Sequence, residues 1–502
     1  MSTRVLVIGL DMGDVDLVET WARDGTLPNL RTILAEGCWG RLETTAEVLH
    51  TSVWPTIFTG AGPGRHGVYY PYQPRPGEQT ARLIGPDQYG VPPFWQALDR
   101  AGRRTIVFDA PETFPLEGYR GVQVFEWSTW AWYWRREVTP RALEAELADR
   151  FGNSPLTLEA RRLGFGAPDP DALARQLLDS AGQKAQIARW LMRGRAWDLF
   201  LVVFAEPHPA GHYLWPRSHG PGPFEPDEQA VKGVRAVYAA VDAAIGEVLD
   251  GCPDDATVLV VSGDGVGPNR CGWHLLPEVL RRAGFTQAPT GPGRRSLLAR
   301  LRDRVPPEAR AALSARLPWR LRDRLVGRLA TADVDWTRTV AFCLPTDLEG
   351  CIRVNLRGRE PAGIVEPGAH FEAVCEEIAA TLGELVNPAT GERAVRRVWR
   401  TDACCPGERR HHLPDLVVTW ASSADIRALH SDRLGLITGA SGDPRPGTHY
   451  PRAFLAARGP RVRAGTLPAG AHLADVAPTV LAWLGVPAPP WMEGRVLTAL
   501  TA

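Results

Sequence analysis

The sequence predicts an α/β fold with a mostly parallel central sheet and helices on both faces. Continuous apolar runs of strand length occur at residues 5–10, 105–108, 199–204, 257–261 and 416–418. Runs of this kind are typical of strands that are buried on both faces. Segments with helical periodicity lie between them, at residues 28–36, 94–101, 231–249 and 371–382. Because strands alternate with helices, we expect parallel pairing within one sheet.

Length and composition favour one large core with a single insertion. The chain has 502 residues, of which 44% are hydrophobic and 23% charged, values that are ordinary for a globular protein. We therefore expect residues 1–290 and 335–502 to form the core. Residues 291–334 are rich in Arg and carry leucines at helical spacing, which predicts a helical insertion. This insertion is either a solvated helix pair or a lid over the substrate.

Charge and cysteine content limit the partners and the location. Lys+Arg and Asp+Glu both number 57, so the net charge gives no reason to expect a nucleic-acid polymer or a membrane as partner. The eight cysteines include no Cys-x-x-Cys pair and are expected to be reduced. No stretch approaches about 18 consecutive apolar residues, and no leader cleavage site is recognisable. A cytoplasmic location is expected, and the excess of Arg over Lys indicates a bacterial source.

Polar side chains directly follow three of the apolar runs. These residues are Asp11, Glu206, His208, His212, Ser262 and Asp264. Because ligands bind at the carboxyl ends of parallel strands, we expect the polar groups to meet at one edge of the sheet. His208 and His212 are four residues apart, so a helical turn would place both on one face, where they can hold the same metal ion.

A series of short motifs runs along most of the chain. They are Gly9-Leu10-Asp11, Leu27-Pro28-Asn29-Leu30, Trp54 to Gly60 (WPTIFTG), Pro63 to Val68 (PGRHGV), Glu206 to His212 (EPHPAGH), Val261 to Gly265 (VSGDG), Gly447-Thr448-His449 and Asp475 to Leu481 (DVAPTVL). In this order they resemble the alkaline phosphatase superfamily, and within it the type I phosphodiesterase and nucleotide pyrophosphatase branch. The resemblance extends from residue 5 to about residue 497.

The resemblance implies a site with two divalent metal ions, usually zinc, and a Thr or Ser nucleophile. Two such ions bind the substrate oxygens and stabilise the attacking and leaving groups. The sequence departs from this pattern at three places. His208 stands where the family has Asp, and Gly263-Asp264 stands where it has Asp-His. The nucleophile position is His50, with Thr51 next to it.

The substituted positions still carry side chains that bind metals, which predicts a remodelled, His-rich site with two ions. One ion would be held by His208, His212 and His449. The second would be held by Asp11, Asp264 and His50. Three imidazoles leave a coordination position open for water, and zinc is the expected metal. Two carboxylates and one imidazole also suit Fe or Mn. His66, His274, His411 and His412 are expected to be structural or exposed.

Three hydrolytic routes are compatible with these residues. In the first, His50 attacks phosphorus, which would also allow phosphoryl or nucleotidyl transfer. In the second, Thr51 is the nucleophile. In the third, His50 is a metal ligand and metal-bound hydroxide attacks. From the sequence alone we favour the third route, because His50 would then put a metal ligand in the place of the family's nucleophile. One alternative is a redox enzyme with Fe, Mn or Cu in the same site. Another is a binding protein without catalytic activity.

The substrate is expected to be a small anionic molecule, such as a phosphodiester or a phosphonate. The segment 110–115 is expected to line the pocket, as the corresponding segment does in the resembling family. Several tryptophans follow it in the chain and could either stack on a planar group of the substrate or pack a loop onto the core. They are Trp127, Trp130, Trp132 and Trp134.

Overall fold

The computed structural model describes residues 4–128, 136–156, 169–215, 228–289, 334–439, 443 and 445–500, with the backbone alone described for residues 228–232. The insertion expected at 291–334 lies outside the described residues except for its last residue. Trp130, Trp132 and Trp134 lie outside them as well.

Nineteen strands occur in the described part of the chain. They are β1 Val5–Leu10, β2 Cys38–Leu42, β3 Tyr72–Pro74, β4 Ala81–Leu83, β5 Thr105–Phe108, β6 Val122–Phe125, β7 Glu137–Thr139, β8 Leu199–Phe204, β9 Thr257–Ser262, β10 Gly265–Pro268, β11 Ala341–Cys343, β12 Gly350–Val354, β13 Val395–Arg400, β14 Leu416–Trp420, β15 Ala428–Ser431, β16 Gly435–Thr438, β17 Gly447–Tyr450, β18 Ala453–Arg458 and β19 Gly465–Thr466.

The α-helices of the described part are α1 Val15–Arg23, α2 Pro28–Glu36, α3 Val53–Thr59, α4 Pro63–His66, α5 Trp95–Arg100, α6 Ala142–Phe151, α7 Pro170–Gly194, α8 Pro207–Tyr213, α9 Glu228–Asp250, α10 Leu276–Arg282, α11 Ala369–Gly383, α12 Thr401–Cys404 and α13 Val476–Trp483. Short 3₁₀ turns lie between several of them, including His50–Ser52 directly before α3.

The central sheet has nine strands, in the order β19-β2-β18-β9-β1-β8-β5-β6-β7. The five strands from β9 to β6 in this order are parallel to one another. Strands β18 and β7 pair antiparallel with the two ends of this parallel block. The predicted mostly parallel sheet is therefore confirmed, with antiparallel strands toward its edges.

Helices cover both faces of this sheet, as predicted. Alternate residues of β1 point to opposite sides. Leu6 and Ile8 belong to a buried cluster with α1, α2, α7 and α9. Val5 and Val7 belong to a second buried cluster with α3, α5 and α13. A strand that is buried on both faces needs the continuous apolar run that the sequence shows there.

The apolar run at 416–418 belongs to a different sheet from the one that its pattern suggested. It lies in β14, which pairs antiparallel with both β12 and β13 in a four-stranded sheet, β11-β12-β14-β13. This sheet has its own buried cluster, which α10 and α11 cover. A continuous apolar run shows that a strand is buried, but it does not distinguish parallel from antiparallel pairing.

No helix in the described ranges is long and apolar enough to cross a membrane.

Candidate metal centre and active site

The site begins at the carboxyl end of β1. The backbone N–H of Asp11 donates to the Phe204 carbonyl at the end of β8, 3.0 Å away. Met12 then adopts a positive φ of 59°, which is uncommon for a residue with a side chain and turns the chain away from the sheet edge. The Asp11 carboxylate remains at this edge and is 6% exposed. The strand end therefore fixes a buried charge where the sequence predicts one.

Three histidines meet in front of this strand end. His208 and His212 lie on α8, which directly follows β8, and His449 lies on β17. One ring nitrogen from each of them can be chosen so that all three atoms lie within 4.8 Å of one another. Within the described residues this is the one set of three or more His, Cys, Asp or Glu side chains that meets this distance. The spacing suits a single bound cation.

Each of these imidazoles has a hydrogen-bond acceptor at Nδ1. The acceptors are Asp11 Oδ2 for His208 at 2.9 Å, Asp264 Oδ2 for His449 at 2.6 Å and the Gly447 carbonyl for His212 at 2.9 Å. An imidazole that donates from Nδ1 keeps the lone pair of Nε2 for a metal, as metal-binding histidines commonly do. The Nε2 atom of His212 is buried without a hydrogen-bond partner. The three rings are therefore held in the form that binds a cation.

Burial and neighbouring charges set the protonation states around the three rings. Burial lowers the pKa of both His212 and His449 well below the ordinary histidine value, and nearby cationic groups lower it further. Neutral imidazoles are the form that a metal requires. Burial would raise the pKa of Asp11, but the charge of His208 and the hydrogen bonds from His208 and Trp54 lower it below its usual value. Burial and the charge of Asp11 raise the pKa of Asp264 to about 8.

His50 lies beside this group but has different contacts. Its Nδ1 is 3.0 Å and 2.9 Å from the two carboxylate oxygens of Glu349, whose Oε1 also accepts the backbone N–H of His50 at 2.8 Å. Its Nε2 is 3.2 Å from Thr51 Oγ1 and 3.5 Å from Asp347 Oδ1. Burial would lower the pKa of His50, but Glu349 and Asp347 raise it to about 9. A carboxylate, an imidazole and a hydroxyl thus form a chain of hydrogen bonds.

The seven residues that the sequence predicts as metal ligands or nucleophile line one small cavity of about 40 Å³. The lining residues are Asp11, His50, Thr51, Val53, Trp54, Tyr70, Glu112, His208, His212, Asp264, Asp347, Arg445 and His449. The set proposed for a second ion, Asp11, Asp264 and His50, does not reach the mutual spacing of the three histidines. Its role as a ligand set stays a prediction. Of the segment 110–115, Glu112 reaches the cavity.

Sequence reasoning missed several charged residues of the site. Arg445 is buried, donates from Nε and Nη2 to the two oxygens of Asp443, 2.7 Å each, and donates from Nη1 to Asp347 at 2.9 Å. Asp347 and Glu349 precede β12 of the second sheet, and Arg445 precedes β17. The two acidic residues, Asp347 and Glu349, are two positions apart before a strand, and this local pattern could have identified them as candidates for the site. Arg445 lies four residues before His449 and carried no signal of its own.

Two residues that the sequence suggested for the site, Glu206 and Trp127, lie away from the cavity. Glu206 is fully buried and contacts Ser180 and Lys184 rather than the cavity. Trp127 is 1% exposed and belongs to the core cluster with α7, so it packs the protein interior. Ser262 supports the strand end, because its hydroxyl accepts the Gly13 N–H at 2.9 Å and donates to the Asp264 carbonyl at 2.9 Å.

The fold is that of the alkaline phosphatase-like enzymes. The family model for type I phosphodiesterases and nucleotide pyrophosphatases matches residues 5–435, and the chain belongs to this family. A comparison with curated protein sequences finds no match. The family makes the chain an enzyme of the phosphoester-hydrolysing class, as expected from its motifs.

Solved structures show the same fold. Phosphonoacetate hydrolase from Sinorhizobium meliloti 1021, in complex with phosphonoacetate, is 12% identical, with 97% of this chain and 96% of that chain covered and a TM-score of 0.52. Human ectonucleotide pyrophosphatase/phosphodiesterase 5 is also 12% identical, with 99% of both chains covered and a TM-score of 0.50. At this level of identity the likeness extends to the fold alone.

Proposed function

We propose that the protein is a metal-dependent hydrolase of small phosphoesters, with a divalent cation held by His208, His212 and His449. The observation that supports this most strongly is the arrangement of the three rings, each with an acceptor at Nδ1 and with one ring nitrogen from each within 4.8 Å of the others. Such an arrangement leaves a cation accessible to an anionic substrate from the remaining side.

The donor set favours zinc. Three neutral imidazoles suit Zn²⁺, whereas the iron sites of oxygenases use two histidines and a carboxylate ligand. Here the carboxylates of Asp11 and Asp264 accept hydrogen bonds from ring N–H groups. No contact specifically favours the redox alternative. A zinc-loaded protein that hydrolyses phosphoesters without consuming oxygen would agree with the proposal.

The contacts of His50 favour Thr51 as the nucleophile over the two other routes. In this route Thr51 Oγ1 attacks phosphorus, the bond from phosphorus to the leaving oxygen breaks, and Nε2 of the neutral His50 ring, the form that dominates above its pKa of about 9, takes the hydroxyl proton. Glu349 keeps the ring oriented through Nδ1. A bound divalent ion would polarise a phosphoryl oxygen and stabilise the developing charge. Water then hydrolyses the phosphothreonine and restores the hydroxyl.

Acid quench with a ³²P-labelled phosphodiester tests this route. The expected result is label on the protein at Thr51, lost in Thr51→Val and retained in Thr51→Ser. Ser52→Ala is the matched control, because the neighbouring hydroxyl of Ser52 donates to the Leu49 carbonyl at 2.6 Å and does not line the cavity. Turnover without a labelled protein would instead support attack by metal-bound hydroxide.

The substrate panel should contain phosphodiesters, phosphomonoesters, phosphonates and sulfate esters. Phosphonoacetate belongs in it, because a protein with this fold binds that molecule. The cavity is small and most of its lining residues are polar or titratable. We therefore expect the phosphoryl group alone to occupy it, with the organic part of the substrate outside. Removal of the metal by a chelator should abolish turnover of every substrate in the panel, and added Zn²⁺ should restore it.

A further inference from the structure

We infer that this site holds one divalent cation, and that packed side chains replace the second cation of a two-ion centre. In this arrangement Asp11 and Asp264 are not ligands. They are hydrogen-bond acceptors that orient His208 and His449. The inference rests on the proposed function, since it assumes that the three histidines bind a metal. Three separate observations around the cavity support it.

The first observation is that both oxygens of Asp11 already accept hydrogen bonds. Oδ2 faces His208 Nδ1 at 2.9 Å, and Oδ1 accepts the indole N–H of Trp54 at 2.8 Å. The indole is fixed by close packing, because a Cβ added at Gly9 would lie 2.6 Å from Trp54 Cη2. A cation at Oδ1 would have to displace a buried indole N–H, which would then lack a partner. The indole N–H of Trp54 thus occupies Oδ1 of Asp11, an atom that a second cation would need as a ligand.

The second observation concerns Asp264. Its Oδ2 is 2.6 Å from His449 Nδ1, a short hydrogen bond. The pair of a carboxylate and a ring N–H is the usual support behind a metal-binding histidine. Asp264 therefore has the contacts of an orienting residue, in the same way that Asp11 has them toward His208.

The third observation is the absence of space at Gly263, the position where the resembling family carries a carboxylate ligand. A Cβ built on Gly263 would overlap Cγ1 of Val53 and would lie 3.2 Å from Cδ1 of Ile57. Val53 itself lines the cavity. The missing carboxylate has therefore not left a gap that water or another ligand could fill. An apolar side chain occupies its place.

The remaining residue of the predicted second set, His50, is engaged as well. Its Nδ1 contacts Glu349, and its Nε2 faces Thr51 and Asp347. Of the predicted second set, Asp11 has both oxygens engaged, His50 has both ring nitrogens engaged, and Asp264 has Oδ2 engaged. The neighbouring position, Gly263, has no space for a side chain. The three-histidine group remains as the binding site, with one place for a cation.

Metal content tests the inference directly. The full-length protein is stripped with a chelator, reloaded with excess Zn²⁺, freed of unbound metal and analysed by plasma mass spectrometry. The expected content is one Zn²⁺ per chain. In a parallel titration with Co²⁺, the visible absorption should reach its plateau at one equivalent. Two equivalents in either experiment would overturn the inference and leave the proposed function standing.

Substitution of the orienting carboxylate separates its role from that of a ligand. Asp264→Asn keeps an oxygen that can accept the His449 N–H, so the content should stay at one ion while affinity falls by roughly 10- to 100-fold. His212→Ala should abolish binding. Asp475→Asn is the matched control, because this buried carboxylate accepts backbone N–H groups outside the cavity. A fall from two ions to one in Asp264→Asn would contradict the inference.

The metal analysis and the activity assay can give a negative result independently of each other. One ion per chain supports the inference whether or not phosphoesters are hydrolysed. A wild-type chain that binds no divalent cation at all overturns both the inference and the proposed metal dependence.

Discussion

At the scale of single residues, the site depends on which atom of each side chain is already engaged. The histidines present one nitrogen to an acceptor and keep the other for chemistry, and the same holds for His50 between Glu349 and Thr51. The residue type alone therefore does not decide whether a side chain is a metal ligand or a hydrogen-bond acceptor. Asp11 is a buried carboxylate at a strand end in either interpretation, and its partners Trp54 and His208 distinguish an orienting residue from a ligand.

The contact between Glu349 and His50 gives a prediction about catalysis. Glu349→Gln keeps the size of the side chain but can hold the imidazole in the wrong tautomer. We expect kcat to fall by roughly 100-fold or more, with little change in KM or in metal content. Steady-state kinetics together with metal analysis check this. A loss of metal equal to the loss of rate would instead show that Glu349 supports the cation site.

Sequence alone predicted seven of the residues that line the cavity, but not their contacts. Asp11, His208 and Asp264 follow buried apolar runs, so strand ends identified them. Asp347 enters from the segment before β12 and Arg445 from the segment before β17. The contact between them joins segments far apart in the chain, and the sequence near Arg445 carries no pattern that predicts it. The choice between a ligand and a hydrogen-bond acceptor also depends on side chains from distant segments, above all Val53 and Trp54 on α3.

At the scale of elements, a buried ion cluster joins α7 to the start of α8. Lys184 is fully buried, with Nζ 2.9 Å from Asp109 and 3.3 Å from Glu206, and it also donates to the Val203 carbonyl at 2.8 Å. Burial would lower the pKa of Lys184, but the two carboxylates raise it above its ordinary value. Since Glu206 directly precedes α8, this cluster fixes the position of the helix that carries His208 and His212.

We expect Lys184→Met to destabilise the protein by about 3–5 kcal/mol, because two carboxylates would remain buried without a cation. Arg189→Met, on the same helix, is the control. Arg189 pairs with Glu247 at 3.3 Å near the surface, and its loss should cost about 1 kcal/mol or less. Urea unfolding of both variants measures the difference. Equal effects would show that the buried cluster contributes no more than a surface pair.

The last residue of α4, His66, should make the stability of the protein depend on pH. His66 Nδ1 accepts the Val68 N–H at 3.1 Å, and Nε2 faces Thr56 Oγ1 at 3.2 Å. Burial lowers the pKa of His66 to about 3. The unfolded chain binds this proton at a pKa of about 6.5, so the unfolded state gains protons first as the pH falls. The stability from the neutral ring is present above about pH 6.5 and is lost as the pH falls toward 3.

His66→Gln removes this proton while an amide oxygen can still accept the Val68 N–H. The difference in unfolding free energy between wild type and variant should shrink by roughly 2 kcal/mol between pH 7 and pH 5. Urea unfolding at the two pH values measures it, and the subtraction cancels the other histidines. Parallel pH profiles for the two proteins would contradict the assignment.

At the scale of the whole molecule, the sequence predicted the central layer better than the second sheet. The bounds of α2 and β5 agree with the apolar and helical patterns at 28–36 and 105–108. The run at 416–418 has the same character as these buried strands, yet it belongs to an antiparallel sheet with a separate core. Burial determines the apolar run, whereas the identity of the pairing partners depends on contacts across the chain.

The direction of β18 has a consequence for how the protein is made. Because β18 runs antiparallel to β9, its beginning lies at the edge where β1, β8 and β9 end, and His449 on β17 precedes it by four residues. A nascent chain that has emerged only through residue 440 carries His208 and His212 but not the third imidazole. The ribosome must therefore release nearly the entire protein before the cation site is complete. If the three imidazoles hold a cation as proposed, a chain that is truncated before His449 would lack the third ligand.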